Sequence, residues 1–363
     1  MKIIYHTPVP LNPNSSVGCG IRPIKMLEAF KNIATDVTVV AGNASERRAS
    51  INKIKNELKN GCKYDFCYSE SPPLPTLLSE KHRLPLHPFL DFGFFKKLKS
   101  YGIPIGLFYR DIYWAMSEYP SGWGPIKNFI ANYFYKYDVK KYSKLIDIFY
   151  LPSLEMGKYV PLIDPARMRE LPPGCDLNIS LTTAGDDEVK IFYVGGMGNY
   201  YQMHELFGAI SESAAELCIC NRESEWKAVE HEYKNLLNRK VHVVHKSGGE
   251  LNALYEKSNI ASLFLKPDQY RTFAAPLKLY EYIGRGKPII ATHGTLAADF
   301  IEKNKIGWSV PYRRDALKTL IEHLQKNPDE IKMAHNQMKF VALQNTWNER
   351  ALTASRELMR NKI

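Results

Sequence analysis

Short apolar runs that lack a polar alternation recur along this chain, and no other feature constrains its fold as strongly. Residues 2–7 (KIIYHT), 36–41 (DVTVVA), 64–68 (YDFCY), 103–109 (IPIGLFY) and 145–150 (LIDIFY) form one series. Residues 189–194 (VKIFYV), 216–220 (ELCIC), 241–245 (VHVVH), 261–265 (ASLFL) and 288–291 (PIIA) form a second. Strands of this length with apolar residues on both sides need cover on both faces, which is the condition of a parallel sheet flanked by helices. Apolar spacing marks helices over 21–32, 203–213, 250–257, 277–283, 315–325 and 347–360, and 48–60 reads as a polar surface helix. The fold class expected is α/β, with two Rossmann-like doubly wound parallel sheets.

Leu171-Pro172-Pro173-Gly174 cannot continue a helix and separates the two series. A length of 363 residues suits two domains, 1–171 and 172–345. Doubly wound sheets hold their ligand beyond the carboxyl ends of the strands, so a cleft between the halves is the expected site.

The charge is unevenly divided. Residues 1–170 carry 24 Lys and Arg against 15 Asp and Glu, whereas residues 171–363 carry 25 against 23. A basic first half points to an acidic partner there. Two basic-aromatic stretches, 92–99 (FGFFKKLK) and 134–142 (FYKYDVKKY), suit an anionic membrane surface, with core packing of the rings as the competing reading. Nucleic acid fits less well because no recognised binding module is present. No apolar run reaches the ~18 residues of a membrane span, and residues 1–14 lack the apolar core of a signal peptide. Cysteines 19, 62, 67, 175, 218 and 220 form no C-x-x-C pair and have no histidines at zinc spacing. Reduced cysteines in a cytosolic protein without a bound metal are the expectation.

The first loop, 14–23 (NSSVGCGIRP), offers Gly18 and Gly20 but no third glycine. The second strand ends in Ala41-Gly42-Asn43 with no acid for a ribose, so a nicotinamide cofactor is not expected.

Residues 276–292 (PLKLYEYIGRGKPIIAT) carry the strongest chemical signal. A helix starting here offers free amides and a positive dipole to a diphosphate. Lys278 in its first turn can neutralise phosphate charge, and Glu281 on the same face can accept ribose hydroxyls. The pattern P-x-K-x-x-E-Y-x-x-x-G-K-P resembles the group-1 glycosyltransferases of the GT-B fold that build bacterial polysaccharides. Residues 194–201 (VGGMGNYY) resemble that family's loop beside the donor phosphates, which assigns Gly195, Gly196, Gly198 and Tyr200 to the phosphate site. Residues 345–351 (NTWNERA) resemble its terminal W-x-x-R-A helix, which implies that 346–363 completes the first domain.

Two departures matter. Family members often carry Arg and Lys after the glycine loop, where this chain has Tyr200, Tyr201 and Gln202, leaving Lys278 with Arg271 or Arg222 to supply positive charge. Retaining members often carry Glu-x7-Glu, but Phe273 replaces the first acid. The chain is in this respect loosely similar to the xanthan-type glucuronosyltransferase, which implies an inverting transfer. Such a transfer needs a base for the acceptor hydroxyl. Asp111, in 108–114 (FYRDIYW) just past a buried strand, is the candidate, with Arg110 beside it and Glu70 and Glu118 as rivals. The resemblance places Gly18, Gly20 and Arg22 on the acceptor side or in the cleft, with the glycine amides facing either the acceptor or the donor phosphates.

The function implied is metal-independent transfer of a sugar from a nucleoside-diphosphate sugar to a glycan. That glycan would be borne on a polyprenyl diphosphate and belong to capsule, exopolysaccharide or O-antigen synthesis at the cytoplasmic face of the membrane. A sugar-nucleotide epimerase on the same fold and a non-catalytic subunit of a glycan-assembly complex are the alternatives.

Overall fold

A computed structural model describes residues 1–13, 18–116, 124–179 and 188–360. Glu118, the start of the first loop at 14–17 and most of the polar segment 182–188 lie outside the described residues. The chain divides into two compact units, Met1–Pro173 with Trp347–Ile363, and Gly174–Thr346.

The first unit runs β1 (Lys2–His6), α1 (Gly18–Ile33), β2 (Asp36–Val40), α2 (Ala44–Lys59), β3 (Phe66–Glu70), α3 (Leu90–Ser100), β4 (Ile105–Phe108), α4 (Pro125–Leu145), β5 (Ile148–Leu151) and β6 (Met168–Glu170). Its strands pair in parallel in the order β2-β1-β3-β4-β5-β6. The second unit runs β7 (Lys190–Val194), α5 (His204–Ser211), β8 (Glu216–Cys220), α6 (Glu223–Tyr233), β9 (Val241–Val244), α7 (Leu251–Glu256) and β10 (Ile260–Leu263). It continues through α8 (Leu277–Gly284), β11 (Ile289–Thr292), α9 (Leu296–Asn304), β12 (Gly307–Val310), α10 (Arg314–Lys326) and α11 (Pro328–Gln344). Its parallel order is β12-β11-β10-β7-β8-β9. The final helix, α12 (Trp347–Arg360), belongs to the first unit.

The unbroken apolar strands have a direct cause. Ile191 and Tyr193 of β7 enter one buried cluster with Leu217 and Ile219, whereas Phe192 enters a second with Cys220, Ala261 and Ile289. Successive residues therefore bury on opposite faces, and each fully buried Leu or Ile contributes about 1.5–3 kcal/mol. In the first unit α12 packs along α1, with Ala351, Ala354 and Leu358 buried. Arg350 donates to the Pro173 carbonyl at 3.1 Å.

Several elements escape the sequence reading. α2 starts four residues earlier than expected because Asn43 caps it, with Glu46 closing a capping box worth about 1 kcal/mol. α4 and α11 both open with Pro in the first turn after a non-helical residue, a usable start signal. Gly18 and Gly20, expected in a loop, form the first turn of α1. Burial of Met26, Leu27, Ala29 and Phe30 further along that helix outweighs the ~1 kcal/mol that each helical glycine costs. Of the two readings of 92–99, core packing of the rings is the one seen: Phe92, Phe94 and Phe95 are buried in α3, and Tyr142 of the second stretch is buried in α4.

Candidate functional site

In the second unit the strand order reverses between β7 and β10, and the crevice at their carboxyl ends is where such a sheet receives a ligand. β7 runs directly into the loop 195–201, and α8 begins at the same edge after the segment following β10. Pro276 precedes α8 and makes no side-chain cap, so the first amides of the helix and its dipole face an anion at this edge. Half-buried Lys278 donates to the Tyr193 hydroxyl at 2.7 Å, and that hydroxyl donates to the Gly196 carbonyl at 2.7 Å. The rings of Tyr193 and Tyr201 each centre 4.4 Å from Lys278 Nζ. Burial, reinforced by the Arg271 charge, pushes the Lys278 ammonium down to about 7. Gly195 permits this packing: its φ is +145°, and a Cβ there would overlap the end of the Lys278 side chain.

Glu281, one turn after Lys278, accepts from the Tyr255 hydroxyl at 2.8 Å, which fixes one carboxylate oxygen. The glycine loop is fastened from two sides. Met197 N–H donates to Glu225 Oε2 at 3.2 Å, while Arg222 donates to Glu225 Oε1 at 2.8 Å. Arg271 donates to the Tyr200 carbonyl and to the Lys266 carbonyl, the latter at 3.2 Å, and pairs with Asp268 at 3.4 Å. The structure thus gathers Lys278, Glu281, Arg271, Tyr200 and the glycines 195, 196 and 198 at one edge, and Arg222 joins them through Glu225. Phe273 is buried with its ring 5.2 Å from that of Tyr270, an environment that would penalise an ionised acid. Tyr193, Glu225 and Tyr255 have no assignment from sequence, and Tyr201 enters there only as a departure after the glycine loop; the tyrosine at the strand end was the available signal for Tyr193.

The first unit reverses its strand order between β1 and β3. Arg22 of α1, just past Gly18 and Gly20, is buried there with its guanidinium 3.4 Å from the Phe108 ring centre. Its Nε donates to Glu70 Oε1 at 3.2 Å, which also accepts from Tyr68 at 2.8 Å. Arg110 Nη2 lies 3.9 Å from Glu70 Oε2. Glu70 is therefore corrected as a rival base: it is wholly buried and serves as counter-ion to two guanidiniums. A second buried chain escaped the sequence reading. His6 sits 2.8 Å from Ser69 Oγ and 3.0 Å from Asp91 Oδ1, and Arg47 brackets Asp91 at 3.0 and 3.2 Å. All four are buried, so this Ser-His-Asp order braces the carboxyl ends of β1 and β3 instead of meeting a substrate.

Asp111 stands three residues past β4, half-buried, and its Oδ1 accepts the Ile112 N–H at 2.7 Å. It lines a pocket of about 30 Å³ with Tyr109, Trp114, Tyr135 and Asp138, room for one or two waters. Trp114 and Tyr135 stack at 5.4 Å, and Trp114 Nε1 donates to Tyr109 at 2.9 Å. Asp138 accepts the Thr76 N–H at 2.6 Å through Oδ2, while its buried Oδ1 has no hydrogen-bond partner. Burial pushes its carboxyl from 3.8 up to about 7.

A carboxyl whose folded pKa exceeds its unfolded value holds its proton in the fold. Its contribution is complete below about pH 4 and is lost as the pH rises toward 7. Asp138→Asn should remove that dependence, so its thermal midpoint should gain on the parent's as pH rises from 4.5 to 7.5. A constant difference between the two across that range would refute the assignment.

Among the described residues no group of three His, Cys, Asp or Glu side chains is placed to hold a metal ion. No described helix is long and apolar enough to cross a membrane.

Residues 181–340 match the family described as glycosyl transferases group 1. No curated protein matches the sequence. Among solved structures, the chain is similar to Anabaena HepE in complex with UDP and glucose, at 12% identity and a TM-score of 0.63, covering 99% of this chain and 100% of that one. It is similar also to sucrose-phosphate synthase from Thermosynechococcus elongatus, at 14% identity and TM-score 0.65, covering 99% of each chain. WaaG, a glycosyltransferase involved in lipopolysaccharide biosynthesis, is similar at 11% identity and TM-score 0.59, covering 98% of this chain and 99% of that one.

Proposed function

We propose that this chain, a GT-B glycosyltransferase of the group 1 type over residues 181–340, moves a sugar from a nucleoside-diphosphate sugar to a glycan acceptor. The observation that carries the reading is Lys278, set between two tyrosine rings at the uncapped start of α8 with Glu281 one turn further on. The helix amides and Lys278 take the diphosphate, and the free reach of Glu281 takes the ribose hydroxyls. HepE, which shares the fold, has been solved with UDP and with UDP-glucose.

The reaction is an inverting displacement. The acceptor oxygen forms the new bond to the anomeric carbon as the bond to the phosphate oxygen breaks, and the electron pair leaves with the nucleoside diphosphate. Asp111 takes the acceptor hydroxyl proton, and Lys278 with the α8 amides neutralises the departing charge. No cofactor or metal takes part. The acceptor is a polyprenyl-diphosphate-linked glycan of capsule, exopolysaccharide or O-antigen synthesis, met at the cytoplasmic face of the membrane. The basic balance of residues 1–170 supports an anionic partner there.

A panel of nucleoside-diphosphate sugars tests the reading by thermal shift, because a specific donor raises the midpoint by mass action. Glu281→Ala should weaken the responding donor about tenfold, the loss of one charge-assisted pair of bonds. Donor affinity equal to the parent's would remove Glu281 from the ribose. Buried Phe273 favours a second reading, a nucleotide-binding subunit without turnover; donor binding with no transfer to any acceptor would select it.

A further inference from the structure

The aromatic stretch 92–95 points inward, yet the first unit does carry exposed apolar residues elsewhere. Along α4, Ile126 and Phe129 are each 76% exposed, Tyr133 61% and Ile130 44%. Their spacing of three and four places them on one face of the helix, opposite buried Ala131, Val139 and Tyr142. The same spacing continues into exposed Lys136, Lys140 and Lys144. The one acidic residue of the helix, Asp138, is buried.

A second apolar group, Leu84, Leu86 and 80%-exposed Phe89, lies just before α3, alongside exposed Lys81 and Arg83. Topology brings the two groups to one side. α3 follows β3 and α4 follows β4, these strands are neighbours, and helices of a parallel sheet begin at its carboxyl edge. Asp111 lies at the same edge, past β4.

We infer that the exposed face of α4, together with the apolar turn ahead of α3, docks on an anionic lipid surface, with the apolar side chains in the headgroup layer and the α4 lysines on the phosphates. An interfacial helix combines such an apolar sector with flanking cations. A second copy of the chain is disfavoured because it would bring the same lysines into apposition. The inference deepens the proposed reading by naming the surface that meets a lipid-borne acceptor. Vesicle binding requires no sugar transfer, and transfer to a soluble acceptor requires no vesicle, so either can fail alone.

The test is co-sedimentation of the full chain with phosphatidylcholine vesicles, with and without phosphatidylglycerol. Binding should need the anionic lipid and weaken as salt rises. Ile126→Ser with Phe129→Ser should lower affinity at least tenfold, and Lys136→Glu with Lys140→Glu should lower it by at least roughly fivefold for each lysine lost. Thermal midpoint and nucleotide affinity should stay at parental values in both. Equal binding to neutral vesicles, absence of binding to anionic ones, or parental binding by both variants would overturn the inference. So would a concentration-dependent dimer abolished by Ile126→Ser with Phe129→Ser, which would assign the face to a second copy.

Discussion

Asp111→Asn is expected to fold, to bind nucleotide as the parent does, and to transfer sugar about 10²–10⁴-fold more slowly, the usual contribution of a positioned general base. The amide retains an oxygen for the Ile112 N–H now held at 2.7 Å, so the turn after β4 should survive. It cannot take up a proton. Nucleotide affinity should be untouched because Lys278, Glu281 and the glycine loop all belong to the second unit. The neighbouring carboxylates make poor substitutes. Glu70 is wholly buried and bonded to Arg22 and Tyr68. Asp138 is buried and its Oδ2 is held by the Thr76 N–H at 2.6 Å, so it offers an acceptor less reach than half-buried Asp111. Turnover equal to the parent's would move the base elsewhere and, with it, the reading of this edge.

Much of the architecture is legible from residue order because its cause is local. A run such as VKIFYV is apolar throughout since Ile191 and Tyr193 bury on one face and Phe192 on the other. The pairing at the start of α8 is legible for the same reason: Lys278 and Glu281 are one helical turn apart, and their spacing alone puts them together. What the sequence hides is what topology joins. Arg22 meets Glu70 across 48 residues, and His6 meets Asp91 across 85, through the pairing of β1 with β3 and the packing of α3. Composition also cannot tell an inward ring from an outward one. Phe94 and Phe129 look alike in a lysine-bearing stretch, yet one lies in the core and the other on the surface. Helices with aromatics on several sides, such as α3 and α4, have no period to read in the sequence.

Lys278→Gln should weaken donor binding by about 10–100-fold, the range of one charge-assisted bond to a diphosphate. Its more telling consequence is in the pH profile. In the empty site burial and Arg271 push the ammonium down to about 7, so near neutrality a large share of Lys278 is uncharged. A bound diphosphate favours the charged form and raises that pKa, so binding above pH 7 must take up a proton. The sign follows: donor affinity should be nearly flat below pH 7 and fall by up to tenfold per pH unit above it, until the pKa of the bound state is reached. Lys278→Gln has no proton to take up and should lose this slope along with its affinity. Lys278→Arg is expected to restore little, because the space between Tyr193, Tyr201 and Gly195 is shaped to an ammonium and a guanidinium is wider. Calorimetry in buffers of different ionisation enthalpy measures the proton directly. A parent whose affinity is level from pH 6 to 9, with no proton uptake, would show that Lys278 is fully charged before the donor arrives, and its contribution would then be simple charge neutralisation.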